Sequence, residues 1–539
     1  MAGRLKHIAF ILILAAMLLP AAQSVFSLFP ERELHGDFTP KERPVLNDST
    51  WFSGHFQAGF EPWLEENIGF HNGLVRLHNQ LDYSLFLKPH ADGVVRGKHG
   101  NLFEYDYIRA WMGKDFVGED LLDLKLRQFR FLQKHLKEQF DIDLVLVLEP
   151  GKASLYEEDI PERYPKAVPG KTNYEFMSKR AAALGINLID LNRWYKKIKD
   201  TSSYPLFPLQ GTHWSEFAMW YAADSLIAYI EDLRGIDLPE VVIDSIAYSS
   251  VLRSTDYDQG ITLNLIFELD HGPMPYPHFH FVEDSAHSKP NVLTIADSYY
   301  WNIFNTRIPK NLFNNEAFWY FYKKVYPDSY FGDKTVASLN IRQEVEKQDV
   351  VFYMATERFL YMIDRGFVDD LWRFYGLTQS RDELTRIKTK ILIDIYWFNK
   401  LVDEAEEKGM ELSAVLNRHA HYVFRQGNPE LYYGTYGPEA IIKDIRRNES
   451  WLQDLEKDAA ERGIPLGERI IDEARYILAK DYPTALTRYD RVEQLIQNIR
   501  SDSSWYAYVL AKAERYYMTE EEMVRAEAEW VYSEEAEQH

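Results

Sequence analysis

Two polar side chains stand where an α/β protein commonly does chemistry. His213 lies in the segment GTHWSEF (residues 211–217), just before a long helical pattern. Ser298 ends NVLTIADS (residues 291–298), directly behind an apolar strand pattern. A serine hydroxyl needs a base to lose its proton, and histidine is the usual base near neutral pH. The pair predicts a serine nucleophile and a histidine general base.

Each residue alone also has a purely structural explanation. Ser298 after Asp297 is typical of a helix N-cap, and a histidine beside Trp214 can be a half-buried ring bonded to backbone. Their combination in one α/β region favours catalysis. A serine at the carboxyl edge of a parallel sheet also has its own amide, and that of Tyr299, near a helix N-terminus, where they could stabilise an oxyanion.

The elements that would position these residues form an alternating pattern. Short apolar runs predict buried strands within residues 142–150, 186–191, 291–298 and 349–358. Amphipathic runs predict helices at residues 126–140, 174–185 and 215–233. Alternation of this kind is typical of a parallel sheet with helices on both faces. We therefore predict an α/β domain over residues 51–377.

The C-terminal part carries an internal repeat with a period of 54 residues. Trp397, Trp451 and Trp505 mark its three copies. Five further positions repeat in register: Ile387/Ile441/Leu495, Ile391/Ile445/Ile499, Ala405/Ala459/Ala513, Ala420/Ala474/Ala528 and Tyr422/Tyr476/Trp530. The pattern predicts an all-α domain over residues 378–539, built from three helical hairpins that stack to bury their apolar faces. Packing explains the Trp and Ala positions, and a docking surface is the functional alternative.

A second histidine pair is a weak candidate for metal binding. His278 and His280 in HGPMPYPHFHF (residues 271–281) would share one face of a strand. No third ligand accompanies them, and Pro275 and Pro277 predict an irregular loop instead. We therefore expect no metal site and no cofactor.

The overall composition disfavours or excludes several classes of function. A net charge of −22 over 539 residues, with no dense basic stretch, disfavours nucleic acid and anionic lipid surfaces as main partners. The absence of cysteine excludes thiol catalysis and disulfides. An aromatic content of 15% suits protein cores and sugar faces alike.

The N-terminus predicts targeting out of the cytoplasm. Arg4 and Lys6 precede an apolar run to about residue 29 that is long enough to span a bilayer. We expect residues 1–29 to be a signal anchor or a signal peptide, with Ala21-Ala22-Gln23 as a mediocre cleavage site. Residues 30–50, polar and proline-containing, predict a tether.

Five segments in this order resemble the SGNH-hydrolase-like domain of the alginate O-acetyltransferase family. They are residues 51–86 (its opening helices), 94–104 (VVRGKHGNLFE), 144–161 (LVLVLEPGKASLYEEDIP), 211–215 (GTHWS) and 295–300 (IADSYY). The resemblance runs from about residue 51 to residue 375 and leaves out the repeats. It implies an SGNH-like parallel sheet, with Ser298 as nucleophile, His213 as base and Asp297 as the adjacent motif residue.

The sequence departs from the family pattern at the triad acid. The resemblance places that acid two residues before His213, where this chain has Gly211, and Ala296 replaces a motif glycine. Asp256 or Asp258 could substitute, as could Glu149, Asp190 or Glu357. A Ser-His dyad oriented by a backbone carbonyl and a site without catalysis are the other outcomes.

The resemblance implies an enzyme that moves acyl groups on an exported polysaccharide. We expect an extracytoplasmic O-acetyltransferase or acetylesterase, working with a membrane-bound acyltransferase partner. Trp214, Tyr299, Tyr300 and Lys152 are the candidate substrate-binding residues, although the aromatic residues after Ser298, including Trp301, could equally pack the helix. The rival hypothesis is a catalytically impaired protein that binds polysaccharide or scaffolds an envelope complex, docking a protein partner through its repeats.

Overall fold

The computed structural model describes residues 2–36 and 39–537, so residues 1, 37, 38, 538 and 539 of the predicted domains lie outside it. Four helices come first: α1 (Ala2–Phe26), α2 (Asp48–Phe52), α3 (His55–Asn67) and α4 (His71–Phe86). Within α1, Lys6–Phe26 is long and apolar enough to cross a membrane, a test that N-terminal signal sequences also pass. The predicted tether is partly docked, because the backbone of His35 exchanges two 2.8 Å hydrogen bonds with the Asn264 side chain.

The central sheet has the predicted α/β character. The strands of the chain are β1 (Val94–Arg96), β2 (Leu102–Glu104), β3 (Asp143–Glu149), β4 (Leu188–Asp190), β5 (Glu240–Ser249), β6 (Met274–Val282), β7 (Val292–Ala296), β8 (Ala317–Tyr320), β9 (Lys324–Tyr326) and β10 (Val350–Thr356). Six of them form one sheet in the order β4-β3-β10-β7-β8-β9, in which only β9 runs antiparallel to its neighbour. The predicted fold class is confirmed.

Helices cover both faces of this sheet, and further short helices lie in the loops between the strands. They are α5 (Tyr105–Trp111), α6 (Glu119–Phe140), α7 (Lys152–Leu155), α8 (Asn173–Leu184), α9 (Leu191–Ile198), α10 (Glu216–Arg234), α11 (Asp258–Thr262), α12 (Tyr300–Asn305), α13 (Ile308–Leu312), α14 (Ile341–Val345) and α15 (Phe367–Tyr375). Every residue of β3, β7 and β10 is buried. Leu146 faces one apolar cluster while the next residue, Val147, faces another, as the alternation of a strand requires.

The predicted irregular loop at residues 271–281 is wrong. Residues 274–282 form β6, which pairs antiparallel with β5 in a separate two-stranded sheet. Pro275 and Pro277 are tolerated because they are two residues apart, so their missing N–H groups fall on one side of the strand, and a two-stranded sheet leaves such a side unpaired. His280 contacts Asp244 of β5, at 2.9 Å from Nδ1 to the carboxylate.

Ten helices make up the rest of the described chain. They are α16 (Asp382–Ile393), α17 (Ile395–Lys408), α18 (Leu412–Gly427), α19 (Pro429–Tyr436), α20 (Pro438–Arg447), α21 (Glu449–Arg462), α22 (Leu466–Asp481), α23 (Pro483–Ser501), α24 (Ser503–Tyr516) and α25 (Glu520–Glu537). In each hairpin, the part before the turn consists of two helices: α16 and α17, α20 and α21, and α23 and α24. The breaks recur at Asp394, Asn448 and Asp502, whose side chains accept hydrogen bonds from backbone N–H groups of the next helix.

Burial separates the repeated positions into two kinds. The repeated Ile, Leu and Ala positions are all buried, as packing between helices requires. The aromatic position is not, because Tyr422, Tyr476 and Trp530 are 59%, 63% and 56% exposed. The repeats also share one hydrophobic core with the sheet, since Phe398 and Val415 belong to the same buried cluster as Leu146.

The recurring caps give a test of the repeat. Asn448 accepts a 3.1 Å hydrogen bond from the N–H of Trp451 at the start of α21. Replacing it by alanine removes this acceptor, and we expect a loss of about 1 kcal/mol from the unfolding free energy of the helical region. Denaturant unfolding followed by helical circular dichroism would measure it. Gln453→Ala, an exposed change in the same helix, is the control, and equal effects from both would contradict the capping role.

Candidate active site

Ser298 lies in the turn between β7 and α12, at the carboxyl edge of the sheet. The preceding Asp297 is fully buried and fixes this turn. One of its carboxylate oxygens accepts hydrogen bonds from the backbone N–H and the hydroxyl of Thr356 at the end of β10, both at 2.9 Å. The other accepts the Tyr299 N–H at 3.1 Å. Asp297 is thus a positioning residue that locks the turn to the neighbouring strand.

His213 lies in the loop that enters α10. Ser215 caps that helix by accepting the Ala218 N–H at 3.0 Å, and its hydroxyl donates to the carbonyl of Pro205 at 2.8 Å. The Tyr299 hydroxyl donates to the Thr212 carbonyl at 2.8 Å. The turn that carries the serine is therefore tied directly to the loop that carries the histidine.

The structure brings Ser298, His213 and Asp258 into one hydrogen-bonded chain. The Nε2 atom of His213 lies 3.0 Å from Oγ of Ser298, and its Nδ1 atom lies 2.8 Å from a carboxylate oxygen of Asp258. A carboxylate only accepts, so it selects the tautomer with hydrogen on Nδ1 and leaves Nε2 free to accept from the serine hydroxyl. This is the arrangement of a Ser-His-Asp triad.

Asp258 holds the loop as well as the ring. It is the first residue of α11, and its second carboxylate oxygen accepts the Thr212 N–H at 2.7 Å. Asp256, the other residue of this loop considered as the acid, is turned away from His213. Its carboxylate accepts the Tyr276 hydroxyl at 2.6 Å instead.

The three remaining acid candidates have other surroundings. Glu149 is fully buried at the end of β3, and burial raises the pKa of its carboxyl well above its usual range. Asp190 caps α9 by accepting the Arg193 N–H at 2.9 Å. Glu357 accepts a 3.0 Å hydrogen bond from the Asn192 side chain. Each of these carboxyl groups is therefore either buried or hydrogen-bonded to another part of the fold.

The packing at Gly211 explains why the acid stands elsewhere. A Cβ atom on Gly211 would lie 2.5 Å from Cγ of Pro208 and 2.5 Å from the carbonyl oxygen of Thr255. Thr255 belongs to the same loop as Asp258, so that loop occupies the space that a side chain at position 211 would need. The glycine and the displaced carboxylate are two parts of one arrangement.

The predicted contact of Lys152 with substrate is wrong. Its side chain is 1% exposed, and Nζ donates to the carbonyl oxygens of Leu102, Pro208, Leu209 and Gly211 at 2.8–2.9 Å. Burial lowers the pKa of this ammonium group to about 7, while the four carbonyl oxygens favour the protonated form. Lys152 is an internal clamp on the segment that leads to His213.

The three predicted aromatic contacts with substrate are also wrong, because Trp214, Tyr299 and Tyr300 are buried. Trp214 and Tyr299 pack edge-on beneath the site with ring centroids 5.0 Å apart. The Tyr299 amide is engaged by Asp297, so it is not the oxyanion donor that the sequence suggested. The amide of Ser298 has no hydrogen-bond partner within the described ranges, and it remains the candidate donor.

Glu104 and Gln259 are residues that sequence reasoning did not assign to the site. Glu104 accepts hydrogen bonds from the Thr212 hydroxyl at 3.0 Å and from the Gln259 amide at 2.9 Å, and it pairs with Arg358. These contacts support the neighbours of His213 and Asp258. Both residues line a cavity of about 630 Å³ whose lining includes none of the three triad residues. The only sequence signal was the position of Glu104 at the end of GNLFE.

The tight packing at Gly211 gives a stability test. Gly211→Ala would force Pro208 or the Asp258 loop to move, and we expect a loss of about 1–3 kcal/mol in unfolding free energy, as in other overpacked sites. Thermal unfolding would show a lower transition temperature. Gly272→Ala is the matched control, since a Cβ there has no atom within 4 Å. Wild-type stability for both variants would refute the close packing.

Comparison with known proteins supports the resemblance seen in the sequence. Residues 94–242 match the family model described as the SGNH hydrolase-like domain of acetyltransferase AlgX. This segment includes His213 and ends before Asp258 and Ser298. Over 192 residues, 36% of this chain, the sequence is 30% identical to the probable alginate O-acetylase AlgJ of Pseudomonas aeruginosa. The match covers 46% of that protein, so the chain spans about half the length of this curated relative.

Two solved structures share weaker likeness. The O-acetyltransferase domain of Pseudomonas putida AlgJ is 17% identical with a TM-score of 0.34, covering 52% of this chain and all of that one. AlgX of Pseudomonas aeruginosa is 11% identical with a TM-score of 0.33, covering 51% of this chain and 67% of that one. Through residues 94–242, the chain resembles the SGNH hydrolase-like acetyltransferase domain of the alginate O-acetylation proteins.

Proposed function

We propose that this chain is an extracytoplasmic SGNH-like O-acyltransferase or acetylesterase that acts on a polysaccharide through an acyl group on Ser298. The observation that carries the proposal is the hydrogen-bonded chain from Ser298 through His213 to Asp258, at 3.0 and 2.8 Å. The likeness to an alginate O-acetylase favours a polysaccharide as the acceptor. The N-terminal apolar helix favours attachment to a membrane with the site outside the cytoplasm.

In the first half-reaction, Oγ of Ser298 attacks the carbonyl carbon of the acyl donor. Nε2 of His213 takes the hydroxyl proton, and Asp258 stabilises the imidazolium that forms. The free amide of Ser298 would donate to the developing oxyanion. When the tetrahedral intermediate collapses, the bond to the leaving group breaks, His213 returns the proton to that group, and an acyl-serine remains.

In the second half-reaction, a hydroxyl group attacks the acyl-serine carbon. His213 removes the proton of the attacking hydroxyl and then returns it to Ser298 as the ester bond breaks. A sugar hydroxyl yields the acylated polysaccharide, and water yields a free acid. Every protein group in these steps belongs to this chain, and a membrane-bound acyltransferase partner would supply the acyl group.

The rival function, a binding or scaffolding protein of an envelope complex, has its own support in the repeats. Tyr422, Tyr476 and Trp530 occupy the same repeat position and are all exposed. Solvent-exposed aromatic rings in register are suited to docking a protein partner or polymer. Docking at the repeats is compatible with catalysis, because the exposed aromatic position and the triad belong to different parts of the chain. What separates the rival from the favoured function is its impaired catalysis.

An acyl-enzyme test addresses the chemistry directly. The full chain in detergent would be given an activated acetyl ester, and the protein mass would be followed over time. We expect one acetyl group on Ser298 in the wild type and none in Ser298→Ala, because the hydroxyl of Ser298 is the group that lies 3.0 Å from the Nε2 base of His213. Acetylation of the alanine variant to the same extent would exclude Ser298 as the nucleophile.

The role of the relocated acid can be tested by a matched pair of amide substitutions. Asp258→Asn keeps the shape but not the tautomer selection, and we expect kcat for ester turnover to fall by roughly 10³–10⁴-fold. Asp256→Asn makes the same change two residues away, where an amide oxygen can still accept from Tyr276. Turnover of Asp258→Asn close to that of Asp256→Asn would mean that His213 is oriented by another group.

A further inference from the structure

Three side chains converge at the C-terminal end of α4. His78 and Asp82 lie one helical turn apart, with 3.9 Å between Nε2 and a carboxylate oxygen. His90 approaches from the following loop, and its Nε2 lies 2.6 Å from the same carboxylate oxygen. The three ligand atoms lie within 4.8 Å of one another, and the two imidazole rings are 4.9 Å apart.

The backbone is bent to produce this convergence. Leu87 ends α4 in a left-handed conformation, with φ of 56°, which residues other than glycine rarely adopt. Its N–H bonds back to the carbonyls of Asp82 and Tyr83, so the chain reverses sharply after the helix. The reversal returns His90 to the face of α4 that carries His78 and Asp82.

The ligand chemistry fits a zinc ion. Two imidazole nitrogens and one carboxylate oxygen are a common set of three protein ligands for Zn²⁺, with water in the fourth position. Bonds of about 2.0–2.1 Å to a tetrahedral ion place ligand atoms roughly 3.3 Å apart. The carboxylate oxygen of Asp82 lies 2.6 Å from His90 and 3.9 Å from His78, on either side of that value, and all three ligand atoms lie within 4.8 Å, so side-chain rotations would bring them onto one ion. Within the described residues, the His278/His280 pair has no third ligand, and the group with three potential metal ligands is His78, Asp82 and His90.

We propose that His78, Asp82 and His90 bind Zn²⁺, and that the ion clips α4 to the segment that leads into β1. His90 lines the same cavity as Glu104 and Gln259. The helix α4 already has one anchor close to this cluster, because Asn79 donates to the carbonyl of Leu263 at 3.0 Å. A zinc ion would therefore fix one wall of this cavity without entering the acyl-transfer steps.

Cobalt binding tests the site without reference to enzyme activity. The full chain, untagged and in detergent, would be freed of metal by chelation and titrated with Co²⁺. We expect the visible absorption of a four-coordinate Co²⁺ site at one equivalent, lost on addition of Zn²⁺. His90→Ala should weaken binding at least about tenfold, and His280→Ala, which removes a histidine outside the site, should leave it unchanged.

A second variant and a second measurement guard against misfolding. Asp82→Asn keeps the side-chain shape but removes the charged ligand, so it should also weaken Co²⁺ binding. Zn²⁺ should raise the unfolding temperature of the wild type and His280→Ala, but not of His90→Ala or Asp82→Asn. Absence of the cobalt spectrum, or equal metal binding by wild type and His90→Ala, would overturn the proposal. Because ester turnover is not measured, failure here would leave the proposed acyl transfer intact.

Discussion

The carboxylate of Asp258 is the contact on which the geometry of the site depends. One oxygen accepts from the His213 ring and the other from the backbone N–H of Thr212, at 2.8 and 2.7 Å. It therefore sets both the ring tautomer and the path of the loop that carries the ring. A triad is defined by these contacts rather than by the order of its residues in the chain. The carboxylate that position 211 lacks is present on a neighbouring loop, in hydrogen-bond contact with the same ring.

Buried polar groups hold the loop of His213 and the turn of Ser298 in place. Lys152 binds four carbonyl oxygens, three of them in residues 208–211, just before His213. Asp297 binds the end of β10 and so fixes the turn of Ser298. A buried charge left without partners would be strongly unfavourable, whereas fully bonded it specifies one conformation of the surrounding backbone. The serine and the histidine are thus held by separate anchors that meet at Tyr299.

Much of the fold and of the site could be predicted from the sequence. The parts that could not be predicted share one cause. Strands β3, β4, β7 and β10 are short apolar runs whose period and flanking helices predict a parallel sheet. Ser298 and His213 stand next to such elements, so their neighbourhood follows from topology. The choice of Asp258 over Asp256 depends on which way two side chains of one loop point, and no local pattern encodes that.

Local sequence patterns also do not show which side chains are exposed, and this explains why buried residues were predicted to contact substrate. Lys152, Trp214 and Tyr299 are types that bind sugars or anions when exposed, and only the folded chain shows that they are enclosed. Likewise, the helix breaks at Asp394 and Asn448 arise from capping side chains within sequences that otherwise continue the helical pattern. The prolines of β6 suggested a loop because the sequence does not show which edge of a strand is left unpaired.

The continuity of the core relates the site to the repeats. Leu146 of β3, Phe398 of α17 and Val415 of α18 belong to one buried cluster, so no solvent-filled joint separates the sheet from the first repeat. A close-packed interior is stiff, so the elements packed in it keep their positions relative to one another. A partner or polymer held at Tyr422 of the first repeat would therefore be held in a fixed relation to Ser298.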